Sequence, residues 1–235
     1  MKLDIVNQDM PDMKATINTF GAYVETFTKA NEPIFFPKVL TKIGKDLKQR
    51  GGMHPCLPNF SNDEIFGLPQ HGFGRDVGWD VLSSGKDYVD LKYCGEDIYK
   101  DVYFYINYRL EENKFITSLK VYNRSDKEVY LGPGFHPYFY CKDLDVSIDN
   151  FTLDKDKLDD TIFLKSDKVK FRANGKDYFI SGDNVGLYAI WTDLKGDYVC
   201  IEPTYKGKVF AEDKKDIYKL CKDKEFSQEF VIEIL

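Results

Sequence analysis

The sequence has no long apolar run, and its first residues, MKLDIVNQDMPDMK, contain no hydrophobic segment of the kind that a secretory signal peptide needs. A helix that crosses a membrane requires about 20 consecutive apolar residues, so we expect no membrane contact and no secretion. The five cysteines form an odd set without a CxxC pair. Such scattered thiols are typical of a reduced, cytoplasmic protein and argue against a disulfide framework.

Clustered positive charge is missing as well. The 235 residues include 33 Lys and Arg against 39 Asp and Glu, which gives a formal net charge of −6 and a pI of about 5.2. Nucleic-acid phosphates demand clustered basic side chains, whereas the charges here are interspersed along the chain. We therefore expect no nucleic-acid partner.

Three catalytic motifs are also absent. The sequence contains no G-x-S-x-G elbow, no glycine-rich phosphate loop ending in GK[ST], and no H-E-x-x-H pair. These absences argue against a serine hydrolase of the elbow type, a P-loop enzyme and a zinc protease. No motif predicts a cofactor.

Strand patterns dominate what is present. Aromatic residues, which favour strands, make up 15% of the chain. Residues 101–110 and 114–123 alternate apolar and polar side chains across a short polar turn, as a β-hairpin would, and Asn174-Gly175 is a second turn signal. Further predicted strands cover residues 129–131, 168–172, 177–180, 187–191, 198–201 and 229–235.

Helical signals are few. Residues 34–48 mix apolar and charged side chains, but Pro37 interrupts them and Gly44 weakens them. Residues 213–220 could hold one short helix. Because all-β sandwiches of roughly 200–250 residues commonly form one unit, we predict a single domain over residues 1–235, all-β, built as one large antiparallel β-sandwich with few short helices.

Residues 49–79 are rich in glycine and proline and carry two of the three histidines. Such a segment has weak preference for helix or strand, and long irregular loops in compact domains are usually functional. His71 lies in this segment, with glycines at 72 and 74. We expect its imidazole on a loop, where it could move a proton near neutral pH or simply bind the loop as a structural histidine.

Two further ionisable residues each precede a proline. His136, in GPGFHPYFY, and Glu202, in DYVCIEPTYKG, are expected in extended backbone for that reason. His136 could be a satisfied core residue, and Glu202 could turn outward to solvent. Burial of Glu202 without partners would be costly, and partial burial would raise its pKa toward that of a working base. Arg50 precedes a glycine pair, and its guanidinium could donate two hydrogen bonds at once to vicinal hydroxyls or to an anion.

The motifs RGG (residues 50–52), LPQHGFGRD (68–76), HPYF (136–139) and IEP (201–203) occur in the order seen in aldose 1-epimerases. The chain resembles this family, and within it the branch of hexose-6-phosphate mutarotases. The resemblance implies a galactose-mutarotase-like sandwich with its site in a cleft on one sheet. It also implies an isomerase that interconverts sugar anomers without a cofactor or metal.

The same resemblance assigns roles. Glu202 maps to the catalytic base that deprotonates the anomeric hydroxyl, and His136 to the acid that protonates the ring oxygen. His71 and Arg50 map to residues that contact sugar oxygens. We count His71 with the catalytic residues. The segment LDDTIFLKS offers Asp159 and Asp160 as the substrate-binding aspartate of the family, and Asp160 aligns better.

One departure concerns Thr204, which stands where many relatives carry Trp after IEP. We therefore expect one wall of the sugar cleft to be open or rebuilt.

The substrate is expected to be a free sugar or a sugar phosphate. An acidic protein repels an anion unless basic groups line the cleft. Arg50, Arg75, Lys206 and Lys208 could converge and hold a phosphate. In the alternative interpretation Arg75 pairs with Asp76 and both lysines are solvated.

Other functions stay open at this point. The same fold could bind a sugar without converting it, although binding alone does not require an acid–base pair. A cupin-like metal enzyme using His54, His71, His136 and Glu202 would want a His-x-His pair on one strand, which is absent. A β-protein without a site is disfavoured by the glycine-rich segment.

Overall fold

A computed structural model of the chain describes residues 1–61, 67–207, 209 and 214–235. Most of their regular structure is β-strand. In chain order the strands are β1 (Lys2–Val6), β2 (Met13–Asn18), β3 (Tyr23–Lys29), β4 (Glu32–Pro33), β5 (Val39–Ile43), β6 (Asp46–Arg50), β7 (Met53–Cys56), β8 (Asp80–Ser84), β9 (Tyr88–Cys94), β10 (Val102–Glu111), β11 (Lys114–Asn123), β12 (Val129–Leu131), β13 (Gly134–Tyr140), β14 (Val146–Ile148), β15 (Ile162–Lys165), β16 (Lys168–Ala173), β17 (Lys176–Asp183), β18 (Val185–Trp191), β19 (Tyr198–Tyr205), β20 (Tyr218–Leu220) and β21 (Glu225–Ile234).

The helical segments of the described residues are short 3-10 helices. They cover Asp97–Tyr99, Lys142–Leu144, Lys155–Asp160 and Lys214–Asp216. Within this part of the chain, no helix has the length and apolar character that crossing a membrane requires.

Two large sheets carry the fold. The first has the order β1-β2-β3-β7-β13-β19-β18-β15, with β4 paired to β3, and the second has the order β14-β16-β17-β21-β11-β10-β9-β8. The central pairs of both sheets are antiparallel. Two strand pairs, β12-β20 and β5-β6, lie outside these sheets.

The predicted strands are largely confirmed, and the helical signals are not. The predicted hairpin is formed by β10 and β11, and Asn174-Gly175 connects β16 to β17. Residues 34–48, considered as a helix, instead contain β5 and the first part of β6, which form a hairpin with Gly44 at φ +60° in its turn. Of residues 213–220, residue 213 lies outside the described residues, and a 3-10 turn followed by strand β20 occupies the rest.

The core lies between the two large sheets and is rich in aromatic rings. Phe135 and Phe139 of β13 extend toward the second sheet, where they contact Phe230 and Phe171 with ring centroids 5.1 and 4.8 Å apart. Side chains alternate between the two faces of a strand, so His136 and Tyr138 lie on the other face of the first sheet. The predicted antiparallel β-sandwich is confirmed, and its first sheet is covered on both faces at β13.

We expect Phe139→Ala to lower the free energy of unfolding by about 3–5 kcal/mol, because this ring is fully buried at the centre of the sandwich. Phe20→Ala is the control, since that ring is 55% exposed and its loss should change stability by less than about 0.5 kcal/mol. Urea unfolding followed by circular dichroism measures both variants. Equal losses would contradict the packing described here.

Candidate functional site

The centre of the first sheet carries ionisable side chains on its outer face. His136 of β13 lies opposite His54 of the neighbouring strand β7. On the other side, the β13-β19 register pairs Tyr138 with Cys200 and Gly134 with Thr204. That register places Glu202 opposite His136, so three adjacent strands present polar side chains to the same surface.

Glu202 and His136 form a close pair in this surface. The carboxylate oxygen Oε2 lies 3.4 Å from Nε2 of His136, and the two side chains are only 3% and 7% exposed. Burial raises the pKa of Glu202 well above its usual value. Burial, together with neighbouring His54, lowers the pKa of His136 well below its usual value. Burial therefore favours the neutral carboxyl and the neutral imidazole, and it makes the carboxylate a stronger base, and the protonated imidazole a stronger acid, than either group is in water.

His71 is positioned by a loop that is fastened to the end of β7. Its backbone has a φ of +68°, and Gly72 follows with a φ of +62°. The next two backbone N–H groups both donate to the carbonyl oxygen of Leu57, at 2.7 and 2.9 Å. The His71 ring then lies edge-on to His136, with centroids 5.3 Å apart. Burial and the positive charge of Arg75 lower the pKa of His71 to about 3, so its ring is neutral near pH 7.

Arg50 forms an ion pair with Asp193, which lies in the connection between β18 and β19. Its Nε donates to Oδ2 of Asp193 at 2.8 Å, and its guanidinium lies 5.5 Å from the ring centroid of Trp191. The hydroxyl of Tyr198 donates to the other carboxylate oxygen of Asp193. Although burial opposes it, hydrogen bonds from Tyr198 and Arg50 lower the pKa of Asp193. Arg50 is thus fixed in one orientation at the edge of the surface.

Glu202, His136, His71 and Arg50 line one cleft of about 380 Å³. A smaller recess of about 230 Å³ shares Lys48, Arg50 and Arg75 with it. The cleft is lined by Lys48, Arg50, Phe60, Gln70, His71, Arg75, His136, Tyr138, Thr161, Phe163, Ala189, Trp191 and Glu202.

Not every predicted basic residue reaches this cleft. Arg75 lines it and also forms the ion pair with Asp76 that the alternative interpretation expected, with Nε 3.7 Å from a carboxylate oxygen, longer than an ordinary hydrogen bond. Lys206 is exposed and is not among the lining residues, and Lys208 lies outside the described residues. Lys48 of β6 contributes the third cation in their place.

The positions of Asp160 and Thr204 relative to the cleft were also expected from the sequence. Asp160 is exposed at the end of the 3-10 helix Lys155–Asp160, and its neighbour Thr161 lines the cleft. Thr204 is buried and donates to the carbonyl oxygen of Leu187 at 2.9 Å, so it forms no cleft wall. Trp191 provides an aromatic wall from the adjacent strand.

Lys48, Trp191 and Asp193 were not predicted from the sequence as residues of the site. A signal existed for Trp191, since it ends a predicted strand and shares a face with Ala189, another cleft residue. No local signal exists for Asp193, because its partner Arg50 is 143 positions away.

Comparisons with known proteins show what the chain is similar to. A family model described as aldose 1-epimerase matches residues 5–186. A protein of Escherichia coli (strain K12), whose assigned name proposes a glucose-6-phosphate 1-epimerase, is 31% identical over 37% of this chain and 30% of its own length. A Salmonella typhimurium relative with the same name is 29% identical over 36% of this chain and 29% of its own length. The matched part of the chain thus spans less than a third of each curated relative.

Solved structures share the fold along the whole chain. A protein from Synechocystis sp. PCC 6803 superposes with a TM-score of 0.82 at 18% identity and covers 100% of this chain and 95% of its own. A galactose mutarotase related enzyme from Lactobacillus acidophilus gives a TM-score of 0.79 at 18% identity, with coverage of 100% and 97%. At these identities the likeness concerns the fold.

We expect Gly72→Ala to destabilise the protein, because a Cβ there would lie 2.0 Å from the carbonyl oxygen of Leu57. Gly175→Ala is the matched control: its φ is also positive, at +76°, but nothing lies within 4 Å of its added Cβ. The left-handed backbone costs both variants about 1–2 kcal/mol, and the steric contact should cost Gly72→Ala about 1–3 kcal/mol more. Thermal unfolding compares them. Equal stabilities would contradict the close approach of the loop to β7.

Proposed function

The chain belongs to the aldose 1-epimerase family, and we propose that it is a mutarotase that interconverts the α and β anomers of an aldohexose or hexose 6-phosphate. The observation that carries this proposal is the buried pair of Glu202 and His136, whose reactive atoms lie 3.4 Å apart. The pair forms part of the lining of a cleft of about 380 Å³, a volume suited to a single sugar ring.

In the proposed reaction the protein supplies only proton transfers. The reactive form of the pair is the one in which the proton that Glu202 and His136 share lies on His136. Carboxylate Glu202 then takes the proton of the anomeric hydroxyl while protonated His136 donates to the ring oxygen. The bond between C1 and the ring oxygen breaks, and the sugar opens to the aldehyde. Rotation about C1–C2 and reclosure, with both proton transfers reversed, gives the other anomer. We propose no cofactor for this sequence.

The remaining side chains bind and orient the sugar. His71 is neutral near pH 7 because its pKa is lowered to about 3, so it can contact a sugar oxygen without adding charge. Arg50, fixed by Asp193, is placed to donate its free guanidinium N–H groups to hydroxyls or to an anion. Trp191 offers a flat apolar surface on which the hydrogen-bearing face of the ring can pack. Asp160 stays a predicted substrate contact at the rim.

We expect Glu202→Gln to fold normally and to lose catalysed anomer exchange by about 10²-fold or more, since a positioned base is removed. Saturation-transfer NMR between the two anomeric protons measures the exchange rate. Glu111→Gln is the control, because Glu111 is exposed on the second sheet, and it should retain the wild-type rate.

Two results would contradict this assignment. Wild-type exchange by Glu202→Gln would remove Glu202 as the base. A wild-type protein that binds sugars without accelerating exchange would instead favour a carbohydrate-binding or sensing protein on the same fold.

The finer proposal is that the substrate carries a phosphate. Lys48, Arg50 and Arg75 line both the cleft and the adjoining recess, so a phosphate on the exocyclic carbon could occupy the recess while the ring lies over Glu202. Charge-assisted hydrogen bonds to these cations would hold it. Asp76 also lines the recess and offsets part of this charge. The names assigned to the two curated relatives agree with a phosphorylated hexose.

We expect kcat/KM for glucose 6-phosphate to exceed that for glucose at low salt, and the preference to weaken as salt screens the cations. Arg75→Ala should reduce the preference about tenfold, the effect of losing roughly 1.4 kcal/mol of binding. Lys206→Ala is the control, because Lys206 is exposed and does not line the cleft. Equal turnover of both sugars at every salt concentration would favour a neutral-hexose mutarotase.

A further inference from the structure

A thiol lies beside the proposed catalytic pair. Cys200 precedes Glu202 by two positions on β19 and therefore projects from the same face. One ligand-type atom from each of His136, Cys200 and Glu202 lies within 4.8 Å of the other two, and all three residues are buried. The cleft gives access to this cluster, since His136 and Glu202 line it.

The hydrogen bonding of the cluster is incomplete. Among the described residues, the polar contact of Nε2 of His136 and of the Glu202 carboxylate is the one that they make with each other, at 3.4 Å. Buried polar atoms normally have more partners than this, so Nε2 and the carboxylate can still bind a ligand.

The spacing suits one cation. Zinc lies about 2.0–2.3 Å from nitrogen, oxygen and sulfur ligands, so ligand atoms in a tetrahedral site are about 3.3–3.7 Å apart. The atoms of His136 and Glu202 already have that separation, and a side-chain rotation of Cys200 would bring its sulfur into range. Three protein ligands with the fourth position open to a cleft are the arrangement of accessible zinc sites.

We propose that His136, Cys200 and Glu202 form a binding site for a thiophilic divalent cation such as Zn²⁺ or Cd²⁺, and that its occupation inhibits the enzyme. Cys200 binds as the thiolate and releases its proton to solvent. Inhibition rests on the proposed function, because the cation would occupy the base and the acid of the epimerase reaction. Binding itself does not depend on that function.

The test begins with direct binding. Exposed thiols at Cys94 and Cys221 are first replaced by serine, which leaves the proposed site intact. We expect Cd²⁺ titration of this metal-free protein to produce an ultraviolet thiolate-to-metal absorption that saturates at one equivalent. Cys200→Ala in the same background should abolish it, and Cys200→Ser, which keeps the side-chain volume, should weaken it strongly. Absorption that is unchanged in both variants, or absent from the parent, would overturn the site.

A second measurement addresses inhibition. We expect Zn²⁺ to slow anomer exchange in the parent in competition with the sugar, and the inhibition constant to rise at least about tenfold in Cys200→Ala, the effect of losing roughly 1.4 kcal/mol of binding. Inhibition that is equal in the two proteins would overturn the role of Cys200. If Cd²⁺ binds through Cys200 and the parent catalyses no exchange, the cation site stands and the proposed function fails. If exchange proceeds and no Cd²⁺ binds, the proposed function stands and the cation site fails.

Discussion

The antiparallel register between β13 and β19 determines the position of the candidate site. It brings His136 opposite Glu202 on the outer face of the first sheet, while Phe135 and Phe139 enter the core. Because successive side chains point to opposite faces, a slip of one residue would exchange these sets. The carboxylate would then enter an aromatic core, at a large free-energy cost. The hydrophobic packing of the sandwich therefore also fixes the acid–base pair.

Elements outside the central strands complete the cleft, and each is constrained by backbone geometry or charge. The loop at His71 can approach β7 because Gly72 has no Cβ to collide with the carbonyl of Leu57. The pairing with Asp193 orients Arg50 at the opposite edge. Glu202 and His136 are buried at the centre of this cleft, and their burial shifts their pKa values in opposite directions.

Structural features that depend on residues close together in the sequence could be predicted from local patterns. Alternation over residues 101–123 gave the hairpin β10-β11, and the prolines after His136 and Glu202 indicated extended backbone, as observed. Long-range relations were not predictable in this way. The partner of Arg50 is 143 positions away, and nothing near Thr204 indicates that Trp191 supplies a cleft wall. The hairpin β5-β6 was missed because its exposed strands lack a clear apolar face.

The central claim is that the buried pair catalyses anomer exchange, and NMR magnetisation transfer on the wild-type protein tests it most directly. The anomeric protons of glucose 6-phosphate and of glucose are followed at increasing protein concentration. The proposed function predicts an exchange rate constant that rises in proportion to protein concentration for at least one of the two sugars. A rate that stays at the spontaneous value for both sugars, at every concentration of folded protein, would contradict it.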